Sequence, residues 1–149
     1  MTMLLLLTLL AGCRDASEVN DHFFVRSGDA LLPVQVRGNT TRGVLILFES
    51  GGPSGPGIAE RMVGSMQFAE GLEAEVALAF YDRRGVGNAQ GDYAPEDLTM
   101  AHALDDLDAV LAVLDDQYAP DHVVLMGHSW GGFVTARYLL DGPRTVDAW

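Results

Sequence analysis

The clearest pattern in the chain is a set of three continuous apolar runs, at residues 43–48, 76–81 and 123–126. A strand with one face in water alternates apolar and polar residues, whereas a strand covered on both faces of a parallel sheet does not. We therefore predict three buried, parallel strands at these positions.

A segment with the apolar spacing of a helix follows each run, and we predict helices at residues 58–71, 99–118 and 130–140. The middle segment is the clearest, because its leucines step by three and four along one stripe: Leu104, Leu107, Leu111 and Leu114. Thr99 is predicted to cap this helix and Pro120 to end it. Five aspartates lie mostly off the stripe and are interpreted as a solvated face rather than a metal site: Asp105, Asp106, Asp108, Asp115 and Asp116.

Two shorter apolar segments, at residues 22–26 and 30–36, precede the first run. A three-residue turn sequence, Ser-Gly-Asp, separates them and predicts a β-hairpin. The strand–helix alternation after the hairpin predicts a doubly wound, mostly parallel α/β sheet. A chain of 149 residues forms one domain at most, and we place that domain at residues 22–149.

The amino terminus has the pattern of a secretory signal. Residues 4–11 are almost entirely apolar, but they are far short of the roughly 20 residues that cross a bilayer as a helix. The Leu-Ala-Gly-Cys sequence that ends at Cys13 resembles the lipobox of bacterial lipoproteins. This resemblance implies a signal peptide at 1–12, a lipid on Cys13 and a polar tether at 13–21. The protein would then be extracytoplasmic and membrane-anchored, in the periplasm or at the cell surface; a plain cleaved signal or a misassigned start codon is the alternative.

Composition excludes several classes of function. The net charge of −12 argues against a nucleic-acid partner, which requires a basic face. All nine cationic residues are arginine, so chemistry that depends on a lysine is excluded. The single cysteine allows neither an internal disulfide nor a cysteine-based metal site, and no cofactor is implied.

The residues with the strongest chemical signal follow the third run. Residues 127–131 fit the pattern Gly-x-Ser-x-Gly, with Ser129 as its serine. At a junction between a strand and a helix this pattern is typical of a sharp turn, in which small neighbours make room for a strained serine. The turn would present the Ser129 hydroxyl at the carboxyl edge of the sheet as a nucleophile, beside the free amides of a helix N-terminus.

A glycine-rich loop at residues 49–55 follows the first run and is the predicted source of a second oxyanion donor. We predict that the amides of Gly52 and Trp130 form the oxyanion hole, with Gly51 as the alternative to Gly52.

The segment at residues 81–87 follows the second run and has glycines that do not fit the spacing of a dinucleotide-binding loop. We expect Asp82 to anchor this loop at the end of its strand.

These three segments, in this order, resemble those of the α/β-hydrolase superfamily, and within it those of the proline iminopeptidase-like serine peptidases. That group has His-Gly-Gly-Pro-Gly, Asp-Gln-Arg-Gly-x-Gly and Gly-x-Ser-Trp-Gly-Gly. This chain has Ser-Gly-Gly-Pro-Ser at 50–54, Asp-Arg-Arg-Gly-Val-Gly at 82–87 and Gly-His-Ser-Trp-Gly-Gly at 127–132. The resemblance implies an α/β-hydrolase fold over about residues 22–142. It also implies peptidase or esterase activity on a small peptide or ester, and Glu49 and Asp82 are candidates for attracting a substrate amine.

A serine nucleophile needs a base, and in this fold the acid and the histidine follow the serine along the chain. After Ser129 the sequence contains Asp141 and Asp147 but no histidine. His128 is expected to point to the opposite side and pack, and His102 to lie on the exposed end of a helix.

From the missing histidine we expect the chain to be the N-terminal part of a longer hydrolase with little turnover of its own. In that case the third predicted strand would form an unpaired sheet edge. The alternative function is a non-catalytic, lipid-anchored binding module.

Overall fold

A mixed β-sheet forms the centre of the fold. The structure, a computed structural model, describes residues 18–62 and 68–149, so the predicted signal peptide and Cys13 lie outside the described residues. Within these ranges six strands form one sheet: β1 (Glu18–Ser27), β2 (Ala30–Asn39), β3 (Val44–Glu49), β4 (Ala77–Tyr81), β5 (Gln90–Gly91) and β6 (His122–Gly127). Their order is β1-β2-β4-β3-β6, with the short β5 paired to β2.

The three predicted buried strands are neighbours and run parallel, as β4-β3-β6. The predicted hairpin is also present, since β1 and β2 pair antiparallel from Ser27 opposite Ala30 to Glu18 opposite Asn39. β1 begins four residues before its predicted start, so the last residues of the predicted tether belong to the strand. The arrangement confirms the predicted α/β class, with the three apolar runs as parallel strands within a mixed sheet.

Alternate residues of β3 enter two different hydrophobic clusters. Leu45 and Leu47 pack in the larger cluster, with residues of the helices α3 (Met100–Tyr118) and α4 (Trp130–Asp141). Ile46 and Phe48 pack in a smaller one on the opposite face. Burial on both faces explains why the sequence of this strand is apolar throughout.

Two short helices cover the second face, α1 (Gly57–Glu60) and α2 (Phe68–Glu73), in place of the single helix predicted at 58–71. On the first face α3 begins as predicted, because the Thr99 hydroxyl accepts a hydrogen bond from the His102 amide at 3.2 Å. Across the described residues, no helix combines the length and the hydropathy needed to cross a membrane.

The outer edge of β6 is paired, which corrects the expectation of an open edge. Ala148 forms a parallel bridge with Val124. The Leu125 amide donates to the Ala148 carbonyl at 3.0 Å, and the Asp147 amide donates to the Val123 carbonyl at 2.8 Å. The segment that follows α4 therefore satisfies backbone groups of β6 that would otherwise face solvent.

The prediction that the aspartates of α3 form a solvated face is wrong for Asp106. Its side chain is completely buried and accepts two hydrogen bonds from the Arg84 guanidinium, at 3.0 and 3.2 Å. Asp108 is partly buried and accepts a hydrogen bond from the Tyr138 hydroxyl at 2.6 Å. Asp105, in contrast, is exposed as predicted.

Candidate active site

The loops that follow β3, β4 and β6 meet at the carboxyl edge of the parallel strands. Strand register places Glu49, at the end of β3, opposite Gly127, at the end of β6. Phe48 pairs with Phe80 on the other side of β3. Open α/β sheets bind their ligands at this edge, so residues from all three loops can surround one substrate.

Ser129 occupies the sharp turn between β6 and α4. Its φ of 53° and ψ of −112° lie outside the left-handed helical region, in a part of backbone conformational space that residues other than glycine rarely adopt. It is exposed, and α4 starts at the next residue, Trp130. The turn therefore holds a serine in a strained conformation at a helix N-terminus, open to solvent.

Two glycines of the motif make this turn possible. A Cβ atom at Gly127 would lie 2.6 Å from backbone atoms of Gly132, and one at Gly131 would lie 2.0 Å from the carbonyl oxygen of Glu49. Neither position has room for a side chain. Their role as small neighbours of the strained serine is as the sequence predicted.

The glycine-rich loop lies directly against the turn. The His128 amide donates to the Glu49 carbonyl at 3.1 Å. A Cβ atom at Gly51 would lie 2.6 Å from Nδ1 of His128. The structure thus brings together the segments that contain Gly52 and Ser129, which are far apart in the sequence.

The environment of the loop amides favours Gly52 over Gly51 as an oxyanion donor. The Gly51 amide already donates to Oε2 of Glu60 at 3.2 Å. Within the described part of the chain the amides of Gly52 and Trp130 have no protein acceptor. A developing oxyanion requires two such unsatisfied amides, and these two lie on the segments that meet at the Ser129 turn.

A cluster of buried charged and polar side chains lies behind this loop, and it was not foreseen from the sequence. Glu49 is completely buried; it accepts hydrogen bonds from Arg83 Nη1 at 2.8 Å and from the Tyr81 hydroxyl. Burial raises the pKa of the Glu49 carboxyl to about 7, although Arg83 and Tyr81 act in the opposite direction. Arg83 Nη2 also donates to the Gly52 carbonyl.

Glu49 and Asp82 are not available to attract a substrate amine, which corrects that expectation. Glu49 is enclosed by Arg83 and Tyr81. Asp82 is buried and accepts hydrogen bonds from the amides of Ile58 at 3.1 Å and Asn88 at 2.9 Å. Asp82 therefore anchors its loop, as was also predicted.

Two histidines differ from expectation. His128 does not pack against the protein: its side chain is 60% exposed, with Nδ1 3.8 Å from a carboxylate oxygen of Glu60. His102 is partly buried rather than on an exposed helix end, and its Nδ1–H donates to the Asp97 carbonyl at 2.6 Å. The other two lie on strands: His22 contacts Gln35, and His122 lies 3.5 Å from Asp147.

A cavity of about 330 Å³ opens beside Trp130 at the same edge of the sheet. Its wall combines apolar side chains, among them Pro53, Leu98, Met100 and Trp130, with polar and charged ones, among them His102, Arg83, Arg84, Asp97 and Asp106. The cavity is large enough for a small side chain or acyl group.

Over residues 18–62 and 68–149, no cluster of histidine, cysteine, aspartate or glutamate side chains is arranged to hold a metal ion.

Comparison with known proteins places these features in a family context. Residues 55–149 match the family described as serine aminopeptidase, S33. No curated protein matches the chain significantly.

Solved structures with a similar fold include two proteins related to proline iminopeptidases. One is the proline iminopeptidase-related protein of Thermus thermophilus, with a TM-score of 0.63 and 22% identity over 84% of this chain and 41% of that one. The other is the proline iminopeptidase of Mycobacterium smegmatis, with a TM-score of 0.60 and 27% identity over 78% of this chain and 38% of that one. An epoxide hydrolase of Vigna radiata has a TM-score of 0.68 and 22% identity over 87% of this chain and 38% of that one. The chain therefore spans about two fifths of these proteins.

Proposed function

Because the chain belongs to the serine aminopeptidase S33 family of α/β hydrolases, we propose that it carries the nucleophile and the oxyanion hole of a serine hydrolase. The substrate class is a small peptide or an ester. The observation that carries the proposal is the strained, exposed conformation of Ser129 at the N-terminus of α4. A serine without a chemical role gains nothing from this conformation, which costs on the order of 1–3 kcal/mol.

In the proposed reaction, the Ser129 hydroxyl attacks the acyl carbon of the substrate and forms a tetrahedral intermediate. The negative charge on the former carbonyl oxygen is stabilised by the amides of Gly52 and Trp130. The positive end of the α4 dipole acts in the same direction. Collapse of the intermediate expels an amine or an alcohol and leaves Ser129 acylated, after which water releases the acid.

The proton transfers need a histidine and a carboxylate. His128 adjoins Ser129 and lies 3.8 Å from Glu60, but among the described residues no hydrogen bond joins its imidazole to the Ser129 hydroxyl. Asp141 is paired with Arg137 at 2.6 Å, and Asp147 lies beside His122 at the far end of β6. The solved structures above are more than twice as long as the region they share with this chain. We therefore propose that the acid and the histidine lie outside these 149 residues.

A fluorophosphonate probe tests whether Ser129 is a nucleophile. We expect slow, stoichiometric labelling of the 149-residue chain that is lost in Ser129→Ala, because the turn and the oxyanion amides are present while the base is not. Ser54→Ala is the matched control, since Ser54 is an exposed serine on the neighbouring loop. Intact-mass spectrometry and peptide mapping measure the adduct.

Each of the other outcomes has a defined meaning. Labelling that persists in Ser129→Ala would contradict the assignment of the nucleophile. Complete absence of labelling would favour the second candidate, a non-catalytic binding module, which the lack of a histidine after Ser129 also supports. Rapid, Ser129-dependent turnover of an aryl ester by this chain would show that the proposed location of the acid and the histidine is wrong.

We propose further that Cys13 is lipidated and anchors the protein at the outer side of a membrane. The proposal is supported by the short apolar run and the Leu-Ala-Gly-Cys sequence that ends at Cys13. In bacteria that express the chain, we expect labelled palmitate to be incorporated and the protein to sediment with membranes. Cys13→Ala should abolish both effects; a variant that remains membrane-bound would contradict the lipid anchor.

A further inference from the structure

The glycine-rich loop is held in place by charged side chains that come from outside it. On one side of Gly52, its carbonyl accepts a hydrogen bond from Nη2 of Arg83. On the other side, the Gly51 amide donates to Oε2 of Glu60 at 3.2 Å. The amide proposed to donate to the oxyanion, that of Gly52, lies between these two anchored groups.

Arg83 is itself fixed by a rigid support. Its Nη1 donates to Oε1 of Glu49 at 2.8 Å, and the exposed fractions of the two side chains are 5% and 0%. Tyr81 donates to the other oxygen of Glu49. Glu49 and Tyr81 are the last residues of β3 and β4, so the guanidinium is attached to the centre of the sheet.

The free-energy cost of burying the Arg83–Glu49 pair indicates that the pair has a functional role. Burying a charge pair carries a desolvation penalty that often exceeds the attraction between the charges. The second acceptor of Arg83 is a loop carbonyl, in a segment of glycine, serine and proline in which Gly52 has a φ of +61°. Without an anchor, a loop of this composition would sample many conformations, and an oxyanion hole depends on amides that are oriented before the reaction.

We propose that Arg83 and Glu60 are positioning residues that orient the Gly52 amide toward the substrate. Arg83, supported by Glu49, fixes the peptide after Gly52, and Glu60 fixes the peptide before Gly51. Neither side chain needs to contact the substrate. The role of the Gly52 amide as an oxyanion donor rests on the proposed function, whereas the anchoring of the loop does not.

Backbone ¹⁵N relaxation on the full chain tests the anchoring directly. In the unmodified chain we expect an order parameter near 0.85 for the Gly52 amide, and in Arg83→Met we expect it to fall below about 0.6. Arg83→Lys should give an intermediate value, because an ammonium can pair with Glu49 but lacks the fork that also reaches Gly52. If Arg83 had only a structural role, Arg83→Met would lower the melting temperature without a loss of backbone order confined to residues 51–55.

Arg84→Met is the matched control. Arg84 is the next residue, is also buried and ion-paired, but its partners are Asp106 and Asp29. We expect this variant to be less stable and yet to keep an ordered Gly52 amide. Equal loosening of the loop in both arginine variants, or an ordered Gly52 in Arg83→Met, would overturn the proposal.

Glu60→Ala provides a test that does not disturb the buried cluster and remains informative if Arg83→Met does not fold. We expect hydrogen exchange at the Gly51 amide to become at least about tenfold faster, while exchange in β3 is unchanged; a tenfold change corresponds to about 1.4 kcal/mol, the size of one such hydrogen bond. Unchanged exchange at Gly51 would contradict the role of Glu60. Failure of the proposed function is distinguishable, because Ser129 would then resist the fluorophosphonate while the loop still responds to these variants.

Discussion

Replacing Gly131 with alanine is expected to destabilise the chain by about 3 kcal/mol or more, the upper range for overpacking. A Cβ atom at this position would lie 2.0 Å from the Glu49 carbonyl oxygen and 2.6 Å from the Ser50 carbonyl oxygen. Both are backbone atoms at the end of a central strand and cannot move aside as a flexible side chain can. The clash would push α4 away from β3 and disturb the turn that holds Ser129.

Gly132→Ala is the matched control, because it adds the same methyl group one residue further along α4. Its Cβ would meet only the Gly127 carbonyl group, with the oxygen at the ordinary contact distance of 3.6 Å. Since alanine favours a helix over glycine, we expect this variant to be unchanged or more stable by roughly 0.5–1 kcal/mol. Urea unfolding followed by circular dichroism measures both free energies of unfolding. Equal stabilities would show that the close contact between α4 and β3 is absent.

Asp106→Ala should lower the free energy of unfolding by about 3–5 kcal/mol, because it leaves the buried Arg84 guanidinium without its main counter-charge. Arg84 joins three parts of the fold, since it also pairs with Asp29 at 2.7 Å and donates to the Ser27 carbonyl at 3.2 Å in the β1–β2 hairpin. Loss of Asp106 therefore weakens the contact between α3, the loop after β4 and the hairpin.

The neighbouring residue provides the control for this prediction. Asp105 has the same side chain and lies on the same helix, but it is exposed. We expect Asp105→Ala to change the free energy of unfolding by no more than about 0.5 kcal/mol. Chemical denaturation at constant pH compares the two variants. If Asp106→Ala lowered the free energy of unfolding by less than about 1 kcal/mol, Arg84 would have to pair with another group or with solvent in the variant. The buried ion pair with Asp106 would then not be a major stabilising interaction.

The contrast between these two aspartates shows which parts of the fold the sequence predicts and which it does not. The strands were found because burial on both faces leaves a local signal, an unbroken apolar run. The start of α3 was predicted because Thr99, which caps its N-terminus, is also a local signal. The environment of Asp106 is not local: its partner, Arg84, precedes it by 22 residues, and helical spacing alone placed the aspartate among those of a solvated face.

The same distinction applies to the candidate site. The strained turn at Ser129 and its small neighbours were predicted because the motif is contiguous and the steric requirement follows from it. The interaction of Glu49 with Arg83 spans 34 residues and was missed. One signal was available: Glu49 directly follows the predicted strand at 43–48 and Tyr81 ends the one at 76–81, so in a parallel sheet both residues lie at the carboxyl edge. The orientation of His128 depends on where Glu60 of α1 lies, which no pattern in the sequence indicates.

The pairing of β3 with β6 has a consequence for how such a site can change over evolutionary time. Gly52 follows one of these strands and Trp130 follows the other, and the last paired residues, Glu49 and Gly127, are directly opposite each other. The separation of the points at which the two loops begin is therefore governed by the spacing of adjacent strands, about 4.8 Å, which main-chain hydrogen bonds maintain whatever side chains are present. Residues around the neighbouring cavity can therefore vary while the two loops that contain the proposed oxyanion donors still begin side by side, and the final orientation of the Gly52 amide then depends on the anchors Arg83 and Glu60.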